Sequence, residues 1–170
     1  MPDRGPDYFF DTVSLCNFAL AKSLDLLVSR YGLRARITQE VLDEVTDGVV
    51  AGHAGLRAIE DAVADARFSR APSPTSPDER ESYRQMLRIL APGEASCIAC
   101  AKARGGIVVT DDKTARECCT ERGVKFTGTI GILKACSQTG SLTPEAADAI
   151  LQTMIAAGYY SPIQRISDLA

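Results

Sequence analysis

Ile107-Val108-Val109-Thr110-Asp111-Asp112 is an apolar, β-branched run that stops at two adjacent carboxylates. Such a run reads as a strand buried on both faces. In a parallel α/β sheet, ligands bind at the carboxyl ends of the strands. Two negative charges therefore stand where this kind of fold does its work. Like charges side by side repel, and a cation or a proton relieves them.

Outward from that stretch, short strands alternate with helices. Tyr8-Phe9-Phe10-Asp11 is an earlier strand, apolar and then acidic. Further strands are expected at 34–37, at 66–70 and at 124–126. Helices are expected over 13–20, 22–30, 38–52 with Thr38 as N-cap, 53–65, 78–90 with Asp78 as cap, 94–104, 113–122 and 129–137. Gly32, Gly105-Gly106, Gly123 and Gly140 stop helices, and Pro92-Gly93 breaks the chain. The last helix has Thr143 as N-cap and Pro144 at its first position. Ala146, Ala147, Ile150, Leu151, Met154 and Ile155 form its buried stripe, and Gly158 closes it. This alternation predicts an α/β domain with a mostly parallel sheet of about five strands.

The 170 residues suffice for one domain, 1–170, with 1–7 as a flexible leader and 142–170 as a C-terminal helical extension. Residues 71–77 hold three prolines and form a stiff loop. Hydrophobic content of 45% and charged content of 24% argue against wholesale disorder. At a net charge of −3, no overall field recruits nucleic acid, so such a partner needs a local basic patch. No apolar stretch approaches the roughly 20 residues of a membrane span. No apolar region follows the start as in a signal peptide, so a cytoplasmic location is expected. Six cysteines include the pairs Cys97/Cys100 and Cys118/Cys119, but the single histidine, His53, lies far from them. They read as reduced, buried, small apolar side chains rather than zinc ligands.

Other acids join the first two. Asp11 ends its strand as Asp112 ends the later one. On the helix from Val41, residues Val41, Leu42, Val45 and Val49 form an apolar stripe, and Glu44 is the acid nearest its edge. A boundary glutamate also covers apolar surface with its stem. Glu94 shares a face with Ile98 and Ala101, although an acid in the first turn also favours the helix dipole. Clustered acids without histidine or cysteine suit hard cations such as Mg²⁺ or Mn²⁺. Such ions serve phosphoryl chemistry.

The constellation resembles the PIN domain family, Mg²⁺/Mn²⁺-dependent ribonucleases with a three-layer α/β/α sandwich. The likeness covers most of the chain. It is carried by Asp11-Thr12-Val13-Ser14-Leu15, Val41-Leu42-Asp43-Glu44-Val45, Gly93-Glu94-Ala95-Ser96 and Thr110-Asp111-Asp112. Asp112 lies 18 residues after Glu94 (112 − 94), a spacing that fits the family. Thr127-Gly128-Thr129 before a helix resembles one branch of undefined role. The long run from 54 to 70 departs from the pattern and reshapes the expected groove.

The resemblance implies an endoribonuclease that leaves 5′-phosphate and 3′-hydroxyl ends. Its implied catalytic acids are Asp11, Glu44, Glu94 and Asp112. Asp11, Glu94 and Asp112 hold the metal, with Asp111 as an additional ligand. Thr12, Ser14 and Thr110 are expected to orient waters or carboxylates. Arg34, Arg36, Lys102, Arg104, Lys113 and Arg116 are the cations available for RNA phosphates. Implied partners are RNA, a small antitoxin protein if the chain is a toxin, and a second copy of the chain as a homodimer. A catalytically inactive module binding RNA or protein is the competing reading. A haloacid-dehalogenase-type phosphatase is disfavoured, because Val13 stands where its second aspartate belongs. A nucleotide-binding Rossmann protein is disfavoured by the lack of a Gly-rich loop after the first strand.

Overall fold

Five short strands, β1 (Tyr8–Phe10), β2 (Ala35–Thr38), β3 (Ser69–Ala71), β4 (Ile107–Val109) and β5 (Lys125–Thr127), form one sheet in the order β3-β2-β1-β4-β5. This is a computed structural model that describes residues 5–169. Every pairing is parallel, with Phe10 opposite Val109 and Val109 opposite Thr127. Helices fill the connections: α1 (Thr12–Leu20), α2 (Leu24–Tyr31), α3 (Gln39–Val50), α4 (Arg57–Ala64), α5 (Pro77–Met86), α6 (Pro92–Arg104), α7 (Lys113–Glu121), α8 (Thr129–Gln138) and α9 (Pro144–Ala156). The expected three-layer α/β/α arrangement is present, and the sheet is wholly parallel.

Local chemistry sets the boundaries. Asp11 caps α1 by accepting from the Ser14 amide at 2.8 Å. Thr38 caps α3 through the Val41 amide, and Thr143 caps α9 through Ala146. Several boundaries differ from expectation: α5 ends at Met86 rather than at 90, α4 starts at Arg57 rather than at 53, and three starts have a clear local cause. Ser76, not Asp78, caps α5, because its hydroxyl accepts from Glu79 and Pro77 takes the first helical position. Pro92-Gly93 opens α6 instead of breaking the chain, since a first-turn residue needs no N–H partner within the helix. The third strand starts at Ser69 rather than at 66. Ala66 sits at φ 57°, and the Arg67 and Phe68 amides turn back to the Ala62 carbonyl.

The central strands are covered on both faces, while β5 at the edge is largely exposed. On one face Phe10 and Tyr8 meet the Tyr31 ring of α2, at centroid distances of 5.6 and 4.5 Å. On the other, Phe9 packs against the end of α6 at Gly106. Phe18, Leu27, Ile37, Ile98, Ile132 and Leu133 complete a continuous core. Cys97, Cys100, Cys118, Cys119 and Cys136 are buried and free, and Cys16 is half-buried. Leu151 and Met154 seat α9 on the domain. Among the described residues no single helix is long and apolar enough to cross a membrane.

The leader expected over 1–7 falls at 1–4 outside the described residues. Asp7 is tied down: its carbonyl accepts from Ile107 at 2.9 Å and its carboxylate meets Arg36 at 3.1 Å.

Gly106 is a close backbone approach between the end of α6 and β1. A Cβ there would come within 2.5 Å of the Phe9 ring and 3.0 Å of the Asp7 carbonyl. Gly106→Ala should destabilise the fold by about 1–3 kcal/mol, read as a lower urea midpoint at unchanged m-value. An unchanged midpoint would show that the β1–β4 junction is loosely packed.

Candidate active site

The strand order reverses between β1 and β4. The chain runs from β1 outward to β2 and β3, then crosses back to β4 and outward to β5. Such a switch point leaves a crevice at the carboxyl ends of the two central strands. Asp11 follows β1 and Asp112 follows β4 by three residues, so both stand at this crevice.

Asp11 is 1% exposed. Its Oδ1 accepts from the Ser14 amide, while Oδ2 is buried with no hydrogen-bond partner among the described residues. An unpaired buried carboxylate oxygen carries a desolvation cost. Burial pushes this carboxyl up from 3.8 to about 6, and the Thr110 and Ser14 groups pull it only part of the way back. Glu94, in the first turn of α6, is raised to about 7, first by burial and then by the charges of Asp112, Asp11 and Glu44. Each of these acids thus raises the cost of ionising its neighbour.

Glu44 reaches the same place from α3. Its Oε1 accepts from the Gly93 amide at 2.8 Å and its Oε2 from the Thr12 hydroxyl at 2.9 Å. Ala91 has no side chain to cap α6, so Glu44 satisfies one of that helix's orphan amides from outside. Gly93 must lack a Cβ here, since one would stand 2.5–2.6 Å from both Glu44 oxygens. Thr38 and Ser96 share a buried hydrogen bond of 2.8 Å that locks α6 to the end of β2. Asp112 is exposed and caps α7 by accepting from Ala115 at 2.8 Å, and its own amide donates to the Thr110 hydroxyl. The Ser14 hydroxyl is buried with no hydrogen-bond partner among the described residues.

Asp11, Glu44, Glu94 and Asp112 therefore come together from four elements, with Thr12, Ser14 and Thr110 among them. Asp111 sits differently. Thr129 donates to it twice, from its amide at 2.9 Å and its hydroxyl at 2.6 Å, and Asn17 donates at 3.4 Å. Hydrogen bonds to a charged group contribute about 1.5–3 kcal/mol each. Ligating an ion through Asp111 sacrifices some of these, whereas Asp11 Oδ2 has none to lose.

The expected cations divide. Lys113 is exposed beside Asp112. Arg116 donates to the Thr110 carbonyl at 2.9 Å, lies 3.6 Å from Asp111 and stacks on the Phe126 ring. Arg34 and Arg36 are at the amino ends of the strands, on the opposite edge from the acids. Arg34 bonds the Pro6 and Arg30 carbonyls and stacks on Tyr8, and Arg36 pairs with Asp7. Lys102 and Arg104 end α6, and Arg104 is ten residues, about 15 Å, beyond Glu94. Arg104 pairs there with buried Glu79 at 3.0 Å. These four lie away from the crevice because sequence neighbourhood does not fix which end of a helix or strand a residue occupies. Arg88, in the turn from α5 into α6, and Tyr83, whose hydroxyl faces Glu40 and Glu44, are at the acid end and carry no sequence signal.

A divalent cation fits this donor set in chemistry: all-oxygen, anionic, with one buried oxygen unsatisfied. The fit is not a closed cage. Among the described residues no three His, Cys, Asp or Glu side chains converge tightly enough to hold an ion outright. A site built from a few carboxylates plus waters is typical of Mg²⁺.

A family model described as a PIN domain matches residues 8–169, nearly the whole chain. No curated protein matches it.

The raised carboxyls make stability depend on pH. Folded Asp11 holds its proton up to about pH 6, while the unfolded chain releases it near 3.8. The folded state thus binds more protons across that window, and stability falls as pH rises through it. In EDTA, Asp11→Asn should raise the thermal midpoint at pH 8, an effect on the order of 2–3 kcal/mol, and leave it little changed at pH 4. An equal midpoint for variant and wild type at pH 8 would contradict the buried, unpaired state of Asp11.

Proposed function

The chain belongs to the PIN domain family, a nuclease-type fold, and from that premise we propose that it is a Mg²⁺- or Mn²⁺-dependent endoribonuclease. The observation that carries the reading is the buried Asp11 Oδ2, without a hydrogen-bond partner among the described residues, close to Glu94, which also feels the charge of Asp112. Asp11, Glu94 and Asp112 would hold the cation. When bound, the cation neutralises phosphate charge and lowers the pKa of water.

The protein's own groups do the rest. Glu44, fixed by Gly93 and Thr12, is placed to orient a water or to accept a proton from it. Thr12, Ser14 and Thr110 offer hydroxyls at the same spot. Lys113, exposed beside Asp112, and Arg88, exposed in the turn into α6, would contact RNA phosphates. With 6% aromatic residues, recognition by base stacking is not favoured. Hydrolysis would leave 5′-phosphate and 3′-hydroxyl ends. Val13 and Ile89 are exposed apolar side chains near this edge, and they suit the apolar stripe of a small antitoxin if the chain is a toxin. The competing reading, an RNA- or protein-binding module without catalysis, is favoured by one observation: the acids do not form a closed cage.

Cleavage of an unstructured RNA with Mn²⁺ separates the two. Wild type should cleave, with a rate that rises from pH 6 to pH 8 as Asp11 and Glu94 ionise. Asp11→Asn should lose on the order of 10²-fold or more. Equal cleavage by Asp11→Asn and wild type would sink the mechanism, and no cleavage by either would favour the binding module.

A further inference from the structure

Asp111 is the most heavily bonded acid at the crevice. It receives the Thr129 amide, the Thr129 hydroxyl and Asn17 Nδ2, and Arg116 Nη2 lies 3.6 Å away. Asn17 also donates to the Thr129 hydroxyl at 3.2 Å. A carboxylate has about four acceptor sites, so this one is close to saturated. Gly128 is part of the arrangement, because a Cβ there would strike both Arg116 Nη2 and Asp111 Oδ1. The partners come from three separate helices, α1, α7 and α8. Tyr159, just after α9, adds its hydroxyl near Thr129.

Arg116 closes the arrangement from below. Its Nε donates to the Thr110 carbonyl, and its plane rests on Phe126 of β5 at 5.2 Å. The residue before Asp111 is thus held through its carbonyl, and Asp111 through its side chain. Asp112, the next residue, accepts the Ala115 amide on Oδ1, and its own amide donates to the Thr110 hydroxyl. Its direction is set by the turn that the Asp111 bonds hold.

We infer that Asp111 is a positioning residue: by pinning Thr129, Asn17 and Arg116 it fixes the Thr110-Asp111-Asp112 turn, so that Asp112 faces Glu94, and it does not itself ligate the cation. The two adjacent carboxylates have split roles. One is saturated by the protein and acts as a latch, and the other is left for the ion. Arg116 belongs to the latch, so its guanidinium is engaged before any phosphate arrives. This rests on the metal-dependent nuclease reading.

Calorimetric titration with Mn²⁺ tests it, with thermal melts in EDTA to show that each variant is folded. Thr129→Val removes only the hydroxyl that bonds Asp111 and keeps the amide. It should weaken Mn²⁺ binding about tenfold, the low end for groups that orient a ligand, and Thr129→Ser should restore it. Asp111→Ala should weaken binding at least as much, and the double variant should be no weaker than Asp111→Ala alone, the non-additivity expected of one shared network. If Asp111→Ala fails to fold, the Val/Ser pair at position 129 carries the test by itself. Wild-type affinity in Thr129→Val would overturn the latch, whether or not Asp111→Ala loses binding. If wild type binds no Mn²⁺, the nuclease reading falls and the latch with it; if wild type binds and Thr129→Val is unchanged, only the latch falls.

Discussion

Mutual repulsion among carboxylates at the buried carboxyl edge of a parallel sheet is the constraint around which the rest of this protein is arranged. The reversal of strand order between β1 and β4 brings Asp11 and Asp112 to one crevice. The start of α6 adds Glu94, and α3 adds Glu44. The charge of Asp111, of its own sign, raises Asp11 further, and Asp11 in turn raises Glu94. A fold selected only for stability has no reason to bury such a group without a partner. Stability yielded at a local site in this way is a common mark of function.

The surroundings hold these acids in place without neutralising them. Glu44 is gripped by an amide and a hydroxyl, and Asp112 by the first turn of its own helix. The Thr38–Ser96 bond fixes the start of α6 against β2. All of these are neutral donors that set direction and leave the net negative charge intact. Arg104 with Glu79 and Arg36 with Asp7 pair at the far edge of the sheet, and at the crevice Arg116 lies 3.6 Å from Asp111.

Much of this was legible in the residues. The β-branched run ending at Asp111-Asp112 identified β4, and Tyr8-Phe9-Phe10-Asp11 identified β1, because alternation of strand and helix leaves few arrangements for runs that short. Glycine and proline punctuation located most helix ends. It misled at Pro92-Gly93, where proline opens a helix; the strand expected at 66–70 begins later because Ala66 is left-handed, which no residue type there signals. Four acids could be picked out by helical face and strand end. What sequence spacing could not provide was which end of each element faced the crevice. Arg34, Arg36, Lys102 and Arg104 were near the acids in sequence and lie elsewhere in space. Gly93, Asn17 and Thr129 were invisible as partners, since their contacts cross 49, 94 and 18 residues of chain.

The central claim is that Asp11, Glu94 and Asp112 form one cation site. Anomalous scattering from crystals grown in Mn²⁺ at pH 8 tests it most directly. The account predicts an anomalous peak in the crevice, about 2.1 Å from carboxylate oxygens of Asp11, Glu94 and Asp112, with Asp111 still bonded to Thr129. No peak there at saturating Mn²⁺, or a peak bound through Asp111 with Asp11 Oδ2 left bare, would contradict it.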